Sequence, residues 1–152
     1  MPQYSAILSA TDDAKFAEIL AASSRKTREG YFHRHQIRAP KAQGLPRAGA
    51  KHAYCVRALH VQLRGKADEA LAEEALRTWL LGQRSLLGAA LDHLGIAHQE
   101  GLTDSDEVSR IEKLTAAERA ALVAALMPVA PADDVQLYLN FMGAPEAAAG
   151  VS

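Results

Sequence analysis

The sequence predicts an all-α fold: a small helical bundle around one long central helix, about five to six helices in all, with a flexible basic segment near residues 30–50. Three observations carry this. The hydrophobic fraction is 49% while aromatics are only 5%, and much of the apolar content is Ala and Leu, strong helix formers, with strand-favouring Val, Ile and Thr sparse. Ala67–Gly95 keeps a helical apolar period over its whole length. Helix stops and starts recur, among them Gly95, Gly143 and the capping box Thr115-Ala-Ala-Glu118.

Taken in order, Thr11-Asp12-Asp13 reads as a helix start, with Phe16, Ile19 and Leu20 on one face, a run to about Arg28, and Gly30 as its end. Tyr31–Ala50 contains Pro40, Gly44, Pro46 and Gly49 and reads as a loop. Lys51–Arg64 is ambiguous. Val56, Leu59 and Leu63 have helical spacing, whereas Leu59, Val61 and Leu63 alternate with polar residues as a strand would; the helical neighbourhood decides for helix, since a lone strand has no partner.

The central element, Ala67–Gly95, is expected to be one continuous helix. Asp68 is its N-cap or a first-turn acid, and Leu76, Leu80, Leu87, Leu91 and Leu94 form one stripe with Trp79, Leu86 and several alanines beside it. Gly82 and Gly88 weaken it by about 1 kcal/mol each relative to Ala. Either the helix bends or breaks near Gly82, or the glycines let another helix approach closely; the stripe stays in phase across Gly82, which favours continuity. Gly95 suits a left-handed ending, with Ile96 folding back on Leu91. A short helix Asp106–Lys113 follows. The Thr115 helix runs to Met127 before Pro128, and a greasy last helix runs from Asp133 and Asp134 to Met142. One helical domain, 1–143, and a disordered tail, 144–152, are expected.

No apolar run is long enough to span a membrane, the N-terminus lacks a signal peptide, and the single Cys55 has no disulfide partner, so a cytoplasmic protein is expected. The net charge of −1 hides a segregation: residues 25–66 hold eleven Lys/Arg against Glu29 alone, and residues 67–152 hold five basic and fourteen acidic residues.

These features lead to a non-catalytic interaction protein, acting through self-association as a homo-oligomer or as an accessory subunit. The last helix and the central one together carry more apolar circumference than a small bundle easily covers, and Trp79, Leu81, Leu137 and Phe141 are the interface candidates. The alternative is a nucleic-acid binder using Arg25, Lys26, Arg28, Arg34, Arg38, Arg47 and Lys51, with Tyr31, Phe32 and Tyr54 stacking on bases. A more distant alternative is a small enzyme or metal protein built on the histidines. Here His33 and His35 are weak metal candidates because Arg34 between them repels a cation. Asp92, His93, His98 and Glu100 could approach one another near the end of the central helix, but no nucleophile stands with them. Glycine-rich phosphate loops and HExxH are absent, and no cofactor or catalytic residue is expected.

Overall fold

The computed structural model describes residues 3–39, 50–104 and 106–144. It is all-α and 72% helical, with nine helices and no strand among the described residues, more helices than the sequence suggests. The chain divides into two compact units, Gln3–Trp79 and a second that takes over at Leu80.

The first unit holds α1 (Tyr4–Ser9), α2 (Asp13–Ala21), α3 (Arg25–Arg34), α4 (Ala50–Gly65) and α5 (Glu69–Leu81), the unit boundary falling near the end of α5. Asp12 caps α2 by accepting the Lys15 backbone N–H at 2.7 Å. The single helix expected up to Arg28 is two. Ser24 turns extended and accepts the Thr27 N–H at 3.2 Å, so its hydroxyl starts α3 instead of continuing α2. Gly30 does not end α3 but lies inside it, and α3 carries Tyr31 and Phe32, expected in a loop, into buried positions. Residues 40–49 of the expected basic loop, and 145–152 of the expected tail, lie outside the described residues.

α4 is a helix. Val56, Leu59, His60 and Leu63 are buried on one face, while Val61, which a strand would bury with Leu59 and Leu63, is 61% exposed. This face packs on α1 and α2. His60 fastens it. Its ring is fully buried, stacks on Phe16 at 4.3 Å between centroids, and places Nδ1 2.7 Å from the Asp13 carboxylate and Nε2 3.2 Å from the Ser9 carbonyl.

The second unit holds α6 (Arg84–Leu94), a 3-10 helix η1 (Asp106–Lys113), α7 (Ala116–Leu126) and α8 (Ala132–Phe141), with α6 packed on α7. The one long helix of the sequence reading is therefore α5 and α6, interrupted at Gly82-Gln83. Gln83 leaves helical geometry at ψ 59°, its N–H closes a tight turn on the Leu80 carbonyl at 2.8 Å, and the Arg84 Nε takes the Leu81 carbonyl at 2.7 Å. Those bonds satisfy groups that a continuous helix would have paired internally. Of the expected stripe, Leu76, Leu80 and Leu91 are buried and Leu87 and Leu94 are half-buried, while Leu86 beside it is buried.

Both glycine stops form as expected. Gly95 has φ 72° with the Ile96 N–H on the Leu91 carbonyl at 2.9 Å, and Gly143 has φ 77° with the Ala144 N–H on the Leu139 carbonyl at 3.0 Å. The capping box forms too: the Glu118 N–H donates to Thr115 Oγ1 at 3.1 Å and the Thr115 N–H to Glu118 Oε1 at 2.9 Å. These bonds hold the Glu118 carboxyl below its ordinary pKa. Thr115→Ala is expected to cost about 1 kcal/mol, read by urea denaturation; no change would mean that α7 does not depend on its cap. No described helix is long and apolar enough to cross a membrane.

Candidate functional site

The basic candidates do not share one fate. Arg34 donates from Nε and Nη2 to Asp68 Oδ2 at 3.1 and 2.8 Å. Asp68 is also the α5 cap, its Oδ1 accepting the Leu71 N–H at 3.0 Å, and its own N–H donates to Ser5 Oγ at 3.0 Å. The buried His35 ring joins them, with Nε2 2.8 Å from Asp68 Oδ2 and Nδ1 3.1 Å from the Gln62 amide. Asp68 thus ties α5 to Arg34 and His35 at the end of α3 through its carboxylate and to α1 through its backbone N–H, with Gln62 of α4 behind His35. Burial raises the Asp68 pKa, but the Leu71 N–H, His35 and Arg34 outweigh it, and the net shift is downward. Arg34 is therefore a structural residue.

Arg25, Arg28, Lys51 and His52 come together. They line a groove of about 520 Å³ between α3 and α4, with Phe32 and Cys55 as its apolar part and Glu29 as its one acid. Arg38 lines an adjoining hollow with Glu29, Phe32, His33, Gln36, Ile37 and Cys55. Neither α3 nor α4 has an acidic residue in its first turn, so the positive ends of both helices are uncompensated there. Arg25 pairs with Glu29 at 3.0 Å, but both side chains are mostly exposed, and such a surface pair is worth only a few tenths of a kcal/mol, up to about 1. Arg28 donates from Nη1 to the carbonyls of Ser23, at 2.7 Å, and Ala21, at 3.4 Å, closing the end of α2; its Nε is buried with no hydrogen-bond partner among the described residues. Lys26 is exposed on α3 outside the groove lining, and Arg47 lies outside the described residues.

The field in the groove is visible in His52. Burial lowers its pKa, and Arg28 and then Arg25 lower it further against a weaker pull from Glu29. Cys55 is no activated nucleophile, since burial pushes its thiol up. Of the three candidate stacking rings Tyr31 and Phe32 are buried, while Tyr54 is half-buried on α4. Tyr31 donates to the Glu74 carboxylate, and its pKa is raised by burial and then by Glu74.

The histidines are placed one by one. His33 is exposed at the end of α3 while His35 is held by Asp68 and Gln62, so the two do not form a ligand pair; among the described residues no group of three or more His, Cys, Asp or Glu could hold a metal ion. His98 does meet Asp92, Nε2 to Oδ1 at 2.7 Å, but its Nδ1 accepts the Gly101 N–H at 2.9 Å, so both ring nitrogens are engaged in holding a turn. His93 stands apart, exposed in the last turn of α6 beside Arg110 and Lys113.

The interface candidates are partly overturned. Trp79 is 2% and Leu137 7% exposed, so neither offers a surface. Trp79 is closed over within its own unit: its Nε1 donates to Glu18 at 3.0 Å and the Lys15 ammonium lies 5.4 Å from the ring centroid. Leu81 is 45% exposed and Phe141 is half-buried. Sequence reasoning missed the groove as a unit, because no motif announces that the first turns of α3 and α4 meet. No protein-family model, no curated protein and no solved structure matches the chain.

Proposed function

We propose that this protein works by binding, not catalysis, and that its ligand is a polyanion, a nucleic acid in the first place, taken up along the groove of α3 and α4. The observation that carries the reading is the convergence of Arg25, Arg28, Lys51 and His52, with a single acid, at two helix ends that are themselves positive. Phosphates neutralised there would release counterions, so affinity should be salt-dependent. The burial of Tyr31 and Phe32 turns the expectation away from base stacking and towards backbone contacts with little sequence preference. A cytoplasmic location is proposed with it, Cys55 being a free thiol.

The test is fluorescence anisotropy with labelled single- and double-stranded DNA and RNA at several salt concentrations. Binding at low salt should fall steeply as salt rises. Lys51→Glu combined with Arg38→Glu should weaken it at least about tenfold and flatten the log–log salt slope by roughly 1 to 2. No binding of any probe at low salt would remove the reading.

Self-association is a second reading, favoured by one observation: of five exposed large apolar residues among the described residues, Leu81, Leu102, Met127 and Val129 belong to the second unit. Such surface marks interfaces when contiguous. Light scattering at high protein concentration should then give more than one chain per particle, and Met127→Ser with Val129→Ser should restore the monomer; a monomeric mass at every concentration would remove it.

A further inference from the structure

This inference rests on the polyanion reading of the α3–α4 groove. Arg28 reaches the groove with its guanidinium steadied on one side, Nη1 donating to the Ser23 and Ala21 carbonyls. A guanidinium held in this way keeps its charge at the groove without having to be ordered by the ligand. Lys51 and His52 come from the first turn of α4 onto the same groove, and Phe32 meets the His52 ring edge-on at 5.9 Å and 72°, which limits where the imidazole can turn. The charged groups about His52 are Arg28, Arg25 and Glu29 of α3, and Lys51 beside it.

We propose that Arg28, Lys51 and His52 form the seat for one phosphate of the ligand, and that filling the seat draws a proton onto His52. In the empty groove burial and the two arginines disfavour the imidazolium, so the ring is mostly neutral at neutral pH. A phosphodiester brings a negative charge to the same place, offsets the arginines and accepts a hydrogen bond from the charged ring. The proton comes from the solvent, a hydronium O–H bond giving way to a ring N–H bond, and the ligand's own covalent bonds are unchanged. The pKa of His52 is then higher in the complex than in the free protein. Between the two values the complex holds more protons, so affinity rises as pH falls through that window. Above the window the ring is neutral in both states and below it charged in both, and there the dependence vanishes. One proton limits the gain to about tenfold per pH unit.

The experiment uses the full chain and an oligothymidylate, whose bases and diesters keep one protonation state across the imidazole range. Dissociation constants are measured from about pH 5.5 to about pH 8, and calorimetry in two buffers of different ionisation heat counts protons taken up. The expected result is binding that tightens several-fold towards acid with net proton uptake, a His52 ring titration that moves to higher pH when the oligonucleotide is added, and a His52→Gln variant that still binds but with a flat profile. Parallel pH profiles for wild type and His52→Gln, or a ring titration that the oligonucleotide leaves in place, overturn the proton-linked seat while the groove keeps its polyanion. No binding at any pH or salt overturns the polyanion reading itself, and this inference with it.

Discussion

Asp68→Ala is expected to destabilise the protein by about 2–4 kcal/mol, combining a lost helix cap with lost bonds to charged or buried partners. The carboxylate caps α5 through Leu71, receives two bonds from Arg34 and faces the buried His35. Arg34 is half exposed and can turn to water, so its share is discounted. His35 cannot, and loses an acceptor in a buried place. For a chain of this size about 2–4 °C of melting temperature goes with each kcal/mol. Asp68→Asn should lose less, because an amide oxygen still caps α5. The pH dependence has a definite sign. The folded carboxyl lies below its unfolded value, so its contribution is complete above the unfolded pKa of about 3.9 and is lost as pH falls through the folded pKa. Acid melts of wild type should therefore steepen in that range, and those of Asp68→Asn should do so less, Glu118 being a second carboxyl held low. A loss under about 0.5 kcal/mol, the level of an ordinary surface change, would show that the junction is ornamental.

Gly101→Ala is expected to cost at least about 3 kcal/mol, adding roughly 1–2 kcal/mol of left-handed strain to a steric clash. Gly101 has φ +86° in the turn that pairs Gln99 with Leu102. A Cβ there would lie 2.6 Å from Leu87 Cβ, 3.0 Å from the Gly88 nitrogen and 3.1 Å from the Arg84 oxygen. Two of these are backbone atoms of α6 or its first residue and cannot rotate away. The turn must lift, and the Gly101 N–H then leaves His98. Gly88→Ala is the control. Its Cβ would sit 3.4 Å from His98 Cε1, an ordinary contact, and the substitution should be near neutral or gain up to about 1 kcal/mol of helix propensity. Urea denaturation of both variants separates backbone crowding from a general intolerance of the region. A Gly101→Ala protein as stable as wild type would mean that the turn does not pack on α6.

Gly88 shows what the sequence conveyed and what it withheld. The glycines pointed either to a break or to the approach of another helix; Gly82 marks a break, and what lies against Gly88 is the turn of His98 and Gly101, not a helix. An apolar stripe records which positions are buried, and apolar residues continue on both sides of the break although the backbone bonds do not, with Leu86 buried and Leu87 only half-buried after it. In the same way a loop was expected at Tyr31–Ala50 from its Pro and Gly content. Those residues crowd its second half, while Tyr31 and Phe32 were held in helix by packing. The groove was half legible: its cations stood out as a block, but the block alone could not sort Arg34, paired with Asp68, from Lys51, which faces open space.

The sequence by itself determined the helical class, the capping box at Thr115, the glycine endings at Gly95 and Gly143, and the charge segregation. Each depends on residues within one or two turns of each other, where hydrogen bonds and backbone preference act directly. Only the tertiary structure decided which charges are spent inside the fold and which face outward, that Trp79 is covered, and that two helix ends share a groove. Those outcomes join residues tens of positions apart, and electrostatic and packing energies depend on separation in space, which chain order does not encode locally.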